Sequence, residues 1–277
     1  MTEAKTFFIT GVSSGFGRAL ANAALDAGHT VIGTVRDEAA RAAFCAQQPG
    51  RAFGRLLDVT DFGAIDAVVA EAEAAAGPVD VLVNNAGYGL EGIMEESSME
   101  QLRHQFDVNV FGPVAVMKAF LPRMRARRRG HIVNITSMGG YITMPGIAYY
   151  AGSKFALEGI SETVGKELRP FGVHVTAVAP GSFRTDWAGR SMVRAARGIA
   201  DYDALFEPIR AARAERSGRQ PGDPDKAAQA ILALVDSAAP PAHLLLGSDA
   251  LALVRDKLAQ LSSDFDTWEA LTRSTDL

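Results

Sequence analysis

The amino-acid sequence predicts an α/β protein whose parallel sheet is covered by helices on both faces. Short apolar runs alternate with longer, alanine-rich segments of helical period, and no linker or low-complexity run divides the 277 residues. Parallel strands must be joined by a crossover, which is usually a helix, so strand–helix alternation is typical of parallel sheets. We therefore expect a single domain over residues 1–277.

The strand candidates are seven short apolar runs, which lie at Thr6–Ile9, Thr30–Gly33, Ala52–Leu57, Val79–Val83, His131–Ile135, Val173–Val178 and Leu244–Leu246. Segments of helical period separate them, and the clearest are Arg18–Ala27, Phe62–Ala75, Gln101–Ala119, Tyr150–Leu168 and Lys226–Val235. The rhythm breaks between Pro180 and Pro224, where the strand signal disappears and aromatic residues are scattered among arginines. An insertion this long in a compact domain is usually functional, and we expect residues 186–223 to form a substrate-binding lid.

Composition excludes several classes of function. The formal net charge of −4 argues against nucleic-acid binding and against an anionic membrane surface. The only cysteine is Cys45, so an intrachain disulfide and a multi-thiolate metal site are impossible, and the five histidines lack metal-ligand spacing. No apolar run approaches a membrane span, and the N-terminus leaves no room for a signal peptide. We expect a cytoplasmic protein without a metal or a membrane partner.

A glycine-rich turn, Thr10–Gly17, follows the first strand candidate and opens a helix. Glycines there let the backbone approach a pyrophosphate, and a helix N-terminus supplies free N–H groups with partial positive charge. The residues predicted to hold the phosphates are Gly11, Ser13, Ser14, Gly15, Phe16 and Gly17. The spacing departs from Gly-x-Gly-x-x-Gly, so this turn alone is a weak signal.

The end of the second strand bears on which dinucleotide binds. Val35 occupies the place where an acid would best hold the ribose hydroxyls of NAD, and Arg36, which suits the 2′-phosphate of NADP, follows at once. We therefore favour NADP(H). The alternative is that Arg36 is solvated at the strand end and Asp37 binds the hydroxyls, so NAD(H) remains possible.

Two adjacent tyrosines precede a lysine in Tyr149-Tyr150-Ala151-Gly152-Ser153-Lys154. Residues four apart on a helix share a face, so Tyr150 faces Lys154 and Tyr149 does not. A neighbouring ammonium favours a phenolate, which makes a tyrosine a usable acid–base group near neutral pH. For Tyr149, packing or a subunit contact is the simpler interpretation.

Several separated motifs occur in the order seen in short-chain dehydrogenases/reductases, and they are Thr10–Gly17, Asp58-Val59, Asn84-Asn85-Ala86-Gly87, Asn109, Ser137, Tyr150-x-x-x-Lys154 and Pro180-Gly181-x-x-x-Thr185. The chain resembles this family from its first strand to Thr185. The resemblance implies a Rossmann-type, doubly wound parallel sheet of about seven strands in three α/β/α layers. It also implies that NAD(P) lies across the carboxyl edge of that sheet.

The resemblance implies a catalytic set of Asn109, Ser137, Tyr150 and Lys154. The other cofactor contacts that it implies are Asp58 and Val59 beside the adenine, Asn85, Ala86 and Gly87 towards the ribose, and Pro180, Gly181, Phe183 and Thr185 towards the nicotinamide. Tyr150 and Lys154 would touch the cofactor as well.

Carbonyl reduction explains why these residue types belong together. Hydride transfer to a carbonyl leaves negative charge on oxygen, and Tyr150 would supply the proton. Ser137 ends a strand candidate and could hold the substrate oxygen beside the phenol. The role of Asn109, seating a water that relays protons to Lys154, is implied by the resemblance alone.

We expect an NADP(H)-dependent carbonyl reductase or alcohol dehydrogenase acting on a hydrophobic alcohol or ketone, because the segments around the reacting carbon are largely apolar. Their apolar members are Ile93, Met94, Tyr141, Ile142, Met144, Ile147, Trp187 and Met192. Four arginines in and before the insertion, Arg184, Arg190, Arg194 and Arg197, leave an acidic substrate as the less favoured hypothesis. The rival functions are an NAD-dependent dehydrogenase of the same fold and a non-catalytic NADP-binding regulator.

The helices Gln101–Ala119 and Tyr150–Leu168 carry apolar residues on more than one side, as buried interface helices do. Because members of the family often pair through these helices, we expect a homodimer or homotetramer.

Overall fold

The computed structural model describes residues 3–185, 189 and 191–277, so Trp187 and Arg190 lie outside the described residues. In that part of the chain, seven strands form one parallel sheet in the order β3-β2-β1-β4-β6-β7-β9. These strands are β1 (Thr6–Ile9), β2 (Thr30–Val35), β3 (Ala52–Leu56), β4 (Val81–Asn84), β6 (Gly130–Ile135), β7 (Val173–Pro180) and β9 (His243–Leu246). The predicted Rossmann-type, doubly wound sheet is confirmed.

Helices cover both faces of the sheet. The α-helices of the described residues are α1 (Gly15–Asp26), α2 (Glu38–Gln47), α3 (Ile65–Ala76), α4 (Met99–Phe106), α5 (Gly112–Arg127), α6 (Ala148–Leu168), α7 (Asp203–Arg216), α8 (Pro224–Val235) and α9 (Ser248–Arg273). After β1 the chain crosses to β2 on one side, and after β3 it returns to β4 on the other side of β1. The carboxyl ends of β1 and β4 therefore flank the point where the strand order reverses. In open α/β sheets, ligands bind in the crevice at this point.

Side-chain alternation along the strands divides the core into two layers. Successive strand residues point to opposite faces, so Phe7 and Ile9 pack beneath α1 and α8 while Phe8 packs on the other side against Phe120 of α5. Both faces of the central strands are buried, which explains why they appear in the sequence as unbroken apolar runs.

The segment predicted as one helix over Gln101–Ala119 is longer and interrupted. It begins at Met99, where Ser98 and Gln101 form a capping box, and it ends at Arg127, followed by Arg128 in a left-handed conformation. Between α4 and α5 lies a π-helical turn over Asp107–Phe111. Helical period cannot reveal such a turn, because the apolar pattern continues through it.

The insertion contains more regular structure than the sequence indicated. A three-residue strand, β8 (Met192–Arg194), pairs in parallel with β5 (Gly89–Glu91), and α7 follows it. The expectation that this segment contains no strand is wrong, because three residues are too few to show a period. Helix α7 buries Phe206 against Gly146, so the insertion lies on the loop that precedes α6.

The last helix, α9, was not predicted. Its first turns bury Ala250 and Val254, whereas the apolar side chains of Leu258, Phe265 and Trp268 are mostly exposed. Within the described residues, no helix is both long enough and apolar enough to span a membrane.

Candidate active site

The turn after β1 is held by side chains from two neighbouring strands. The Thr10 hydroxyl accepts hydrogen bonds from the backbone N–H groups of Asn85 and Ala86, both at 2.9 Å, and the Thr34 hydroxyl accepts one from Gly11 N at 3.1 Å. In return, Asn85 Nδ2 donates to the carbonyl oxygens of Thr10 and Gly11, at 2.9 and 3.0 Å. The turn is therefore fixed to β2 and β4 before any ligand binds.

Glycine is needed at Gly17 because α1 passes very close to this turn. A Cβ there would lie 2.2 Å from Gly11 O and 2.4 Å from Asn85 Nδ2, distances that real Cβ atoms do not show. Gly11 and Gly15 have φ angles of +73° and +56°, which L side chains rarely adopt. Ser14, the N-cap of α1, makes no side-chain capping bond, so its hydroxyl is available to an anion at this helix start. The cradle fits a pyrophosphate.

At the edge formed by β2 and β3, Arg36 is exposed directly after β2. Burial works to raise the pKa of the nearby Asp58 carboxyl, but hydrogen bonds from Thr60 and the positive charge of Arg36 outweigh it and lower that pKa. The Asp37 carboxylate caps α2 by accepting from Ala40 N at 2.8 Å. One carboxylate oxygen of Asp37 is therefore already used by the protein, whereas the Arg36 guanidinium faces solvent.

Lys154 lies on the buried face of α6 together with Tyr150, as the four-residue spacing predicted. Its Nζ donates to Ile135 O at the end of β6 at 2.9 Å and lies 5.8 Å from the centre of the Tyr150 ring. Burial lowers the pKa of Lys154 to about 8, and the negative charge of Glu158 acts in the opposite direction. The ammonium is still the main form at neutral pH, beside the phenol.

Asn109 lies in the π-helical turn, which directs its side chain into the protein. Its Oδ1 accepts from Tyr88 N at 3.1 Å, and its Nδ2 donates to Tyr88 O at 3.0 Å and to Ser153 Oγ at 3.1 Å. Ser153 Oγ in turn donates to Tyr150 O at 2.7 Å. A Cβ placed on Gly87 would lie 3.1 Å from Asn109 Oδ1 and 3.8 Å from Lys154 Nζ. Asn109 and Lys154 therefore border the same space.

Ser137 follows β6 and begins the short 3₁₀ turn Met138–Gly140. Its Oγ accepts from Gly139 N at 3.0 Å. A Cβ at Gly139 would lie 3.4 Å from Ser137 Oγ and 3.2 Å from Cε1 of the Tyr150 ring. The hydroxyl and the phenol ring thus converge on one point, and the structure brings together all four residues of the predicted catalytic set.

Tyr149 points elsewhere. Its hydroxyl donates to Ser97 O at 3.2 Å, which ties α6 to the loop after β5.

The segment after β7 approaches α1 from the other side of the crevice. Thr185 lies over Gly15, where a Cβ would be 3.7 Å from Thr185 Cβ. The Phe183 side chain is buried, packs edge-on against Phe16 at 5.1 Å between ring centres, and fills the space beside Gly222. Asp249 holds the segment in place by accepting from Ser182 N at 2.8 Å.

The apolar residues predicted around the reacting carbon differ in burial. Ile93, Ile142, Ile147 and Met192 are buried, whereas Met94 is largely exposed. The Tyr141 hydroxyl is bonded to Glu158 and His243.

Four of the described arginines of the insertion are held in internal ion pairs. Arg194, Arg210 and Arg213 converge on the buried Glu91. Arg197 pairs with Glu96, Asp203 and Glu207.

Sequence reasoning missed three polar side chains of the site. Ser153 lies one turn after Tyr150 inside the motif that drew attention, and Thr10 begins the glycine-rich turn, so each had a local signal. The only sequence signal for Glu158 was its position, four residues beyond Lys154 on the same helix. Among the described residues, no three His, Cys, Asp or Glu side chains cluster as metal ligands would.

A parallel sheet with a glycine cradle at its strand-order reversal and a Tyr–Lys pair beside it defines a Rossmann-type oxidoreductase. The short chain dehydrogenase family model matches residues 5–194. The chain belongs to this family, as the motifs predicted.

Individual relatives agree with this assignment. Oxidoreductase BOA17 of Botryotinia fuckeliana is 34% identical over 97% of this chain and 98% of its own length. A short-chain dehydrogenase from Streptomyces avermitilis superimposes with a TM-score of 0.92 at 42% identity, covering both chains completely. A Burkholderia phymatum member solved in complex with NAD has a TM-score of 0.80 at 26% identity, over 91% of this chain and 92% of its own.

Proposed function

We propose that this protein is an NADP(H)-dependent carbonyl reductase or alcohol dehydrogenase in which Tyr150 is the acid–base group. The observation that carries the proposal is the convergence of Tyr150, Lys154 and Ser137 at the end of β6. Bound NADP(H) supplies or accepts the hydride. Tyr150 donates its proton to the substrate oxygen, the Lys154 ammonium stabilises the phenolate that forms, and Ser137 holds that oxygen by a hydrogen bond.

Asn109 has a different task in this proposal. Its side chain is hydrogen-bonded to the Tyr88 backbone and to Ser153 Oγ, so it joins the loop at Tyr88 to α6 beside Lys154. The space at Gly87, bordered by both side chains, suits a water that returns protons to Lys154.

The substrate we propose is a hydrophobic alcohol or ketone, because Ile93, Ile142, Ile147 and Met192 are apolar and lie in the segments around the site. Arg194 and Arg197 are held by carboxylates of the protein, which disfavours them as anchors for an acidic substrate.

We propose that residues 186–223 act as the lid of one domain that comprises residues 1–277.

NADP(H) preference is proposed on the position of Arg36, whose guanidinium is exposed after β2 while Asp37 is engaged as a helix cap. NAD(H) remains the alternative, since the Burkholderia phymatum relative was solved with NAD. In Arg36→Ala, kcat/KM for NADPH should fall by about tenfold or more, and that for NADH should change little. Arg41→Ala, which removes a half-buried arginine paired with Glu38, is the matched control. Equal losses with both coenzymes would contradict the preference.

The central experiment is an NADPH-oxidation screen over ketones, aldehydes and quinones. Tyr150→Phe should abolish turnover while NADPH still binds, because only the proton donor is removed. Tyr149→Phe loses one hydrogen bond, to Ser97 O, and should keep most of the activity. Turnover that survives in Tyr150→Phe would refute the role of Tyr150 as the acid–base group. A wild type that binds NADPH but is inactive with every carbonyl compound would refute the enzymatic activity and favour the non-catalytic regulator.

For the assembly we propose a homodimer or homotetramer built on α6. Apolar and small residues line a groove on its outer side, and they are Phe155, Ala156, Gly159, Ile160, Thr163 and Val164. Phe155 is 43% exposed. Phe155→Lys should reduce the mass measured by light scattering, and a monomeric wild type at micromolar concentration would contradict the proposal.

The location we propose is the cytoplasm. The lone Cys45 fits a reducing compartment, and cell fractionation tests the location.

A further inference from the structure

A buried carboxylate lies one turn beyond Lys154 on α6, and the chemistry above does not use it. Glu158 is 6% exposed. Its Oε1 accepts from the Thr136 hydroxyl at 2.5 Å, and its Oε2 accepts from the Tyr141 hydroxyl at 2.8 Å and lies 2.9 Å from His243 Nδ1. One side chain therefore joins α6 to β6, to the turn after Ser137 and to β9.

The partners of Glu158 are the immediate neighbours of the reacting groups. Thr136 stands between Ile135, whose carbonyl oxygen accepts from Lys154, and Ser137. On the far side of Ser137, Gly140 packs against α6, where a Cβ would lie 2.9 Å from Glu158 Cγ and 3.0 Å from Lys154 O. The peptide that carries Ser137 is thus packed against α6 on both sides, and Glu158 takes part in both contacts.

The charges around this carboxylate show what it can stabilise. Lys154 and Glu162 approach from α6, Tyr141 follows the 3₁₀ turn, and His243 comes from β9 with its Nε2 3.5 Å from Glu162. Burial and the charges of Glu158 and Glu162 raise the pKa of Tyr141, so its phenol remains a hydrogen-bond donor. Around this carboxylate, Lys154 is the lysine whose ammonium interacts with the Glu158 charge while the pH stays below about 8.

We propose that Glu158 is a positioning residue for the reaction: it fixes Ser137 against the helix that carries Tyr150, and its carboxylate supplies the charge that keeps the Lys154 ammonium in place. This inference rests on the proposed oxidoreductase function. Without the carboxylate, Lys154 would be a buried cation opposed only by neutral dipoles, a costly state.

The test is the pH dependence of kcat/KM in Glu158→Gln, which keeps the shape and removes the charge. Loss of a nearby negative charge favours proton release from every neighbouring group. The fall of kcat/KM at high pH, its alkaline limb, should therefore occur about one pH unit lower than in the wild type. The value of kcat should fall about tenfold, with KM for NADPH unchanged. Thr136→Val removes the hydrogen bond from Thr136 to Glu158 but keeps the carboxylate charge. It should therefore lower kcat and leave the alkaline limb of kcat/KM at its wild-type pH.

The matched control is Glu162→Gln, a half-buried acid one turn further along α6 that also faces His243. Its activity and its pH profile should stay close to those of the wild type. A limb that does not move in Glu158→Gln, or that moves equally in Glu162→Gln, overturns the proposal. If Glu158→Gln does not fold, Glu158→Asp keeps the charge, and a wild-type limb in that variant supports the same assignment while a displaced one overturns it.

A second readout needs no turnover. Glu158→Gln should destabilise the protein most while Lys154 is charged, so the loss in its free energy of unfolding, measured with urea, should shrink between about pH 7 and pH 9, around the pKa of Lys154. A deficit that is constant over this range overturns the electrostatic role. Because this measurement does not involve a substrate, it separates a failure of this inference from a failure of the proposed reductase activity.

Discussion

The glycine cradle permits a quantitative test through Gly17→Ala. The added Cβ would lie 2.2 Å from Gly11 O and 2.4 Å from Asn85 Nδ2, so one or both must retreat by about 1 Å to reach the closest contact that proteins allow. Asn85 Nδ2 cannot retreat without lengthening its bonds to the carbonyls of Thr10 and Gly11. The substitution therefore strains the turn that is expected to face the pyrophosphate.

The cost follows from these contacts. Two lost hydrogen bonds contribute about 1 kcal/mol each, and overpacking adds about 1–3 kcal/mol, so the total is roughly 3–5 kcal/mol. If the folded protein bears the strain, the free energy of unfolding falls by that amount. If the turn yields instead, the cradle is displaced and NADPH binding weakens by about 100-fold or more.

Fluorescence titration with NADPH and urea unfolding of the same preparations measure both outcomes. Gly165→Ala in α6 is the matched control, because a Cβ there meets Val175 at an ordinary 3.5 Å. It should raise stability by about 0.5–1 kcal/mol without affecting binding. If Gly17→Ala binds NADPH within about threefold of the wild type and unfolds at the same urea concentration, the steric reasoning is wrong.

Three further predictions follow from buried polar groups. Thr10→Val should cost about 2–4 kcal/mol of stability, because two backbone N–H groups lose their acceptor. Glu91→Gln should speed proteolytic cleavage within residues 192–216 by about tenfold or more, because three arginines lose a shared carboxylate. The pKa of Lys154 falls from 10.5 to about 8 on folding, so the wild type should gain about 3 kcal/mol of stability relative to Lys154→Met as the pH rises through that range.

Each of these predictions can fail in a distinct way. Unchanged urea unfolding in Thr10→Val would mean that the loop relaxes to expose its amides to water. A Glu91→Gln protein that is cleaved no faster would show that apolar contacts such as that of Phe206, and not the ion pairs, hold the insertion. A stability difference for Lys154→Met that does not depend on pH would mean that the lysine is solvated when charged.

The sequence was most informative where the determining interactions are local. Strand β1 was predicted with its observed ends because the β-branched Thr6 and three apolar residues lie between Lys5 and Thr10. The Tyr150–Lys154 pair follows from helical spacing alone. The π-helical turn directs the Asn109 side chain into the protein. Because the apolar pattern continues through this turn, the sequence pattern does not reveal the turn. Strands β5 and β8 are each three residues long and exist only because they pair with each other across a separation of about 100 residues.

By itself, the sequence determined the sheet, the glycine turn and the face shared by the phenol and the ammonium, because periodicity and backbone sterics act between residues that are near neighbours in the chain. The tertiary structure decided which groups meet across strands. The Asn85 amide reaches the turn after β1, the arginines of α7 reach Glu91, and Glu158 joins three segments around Ser137. These contacts depend on strand order and on the angle at which each helix packs, which no local pattern specifies.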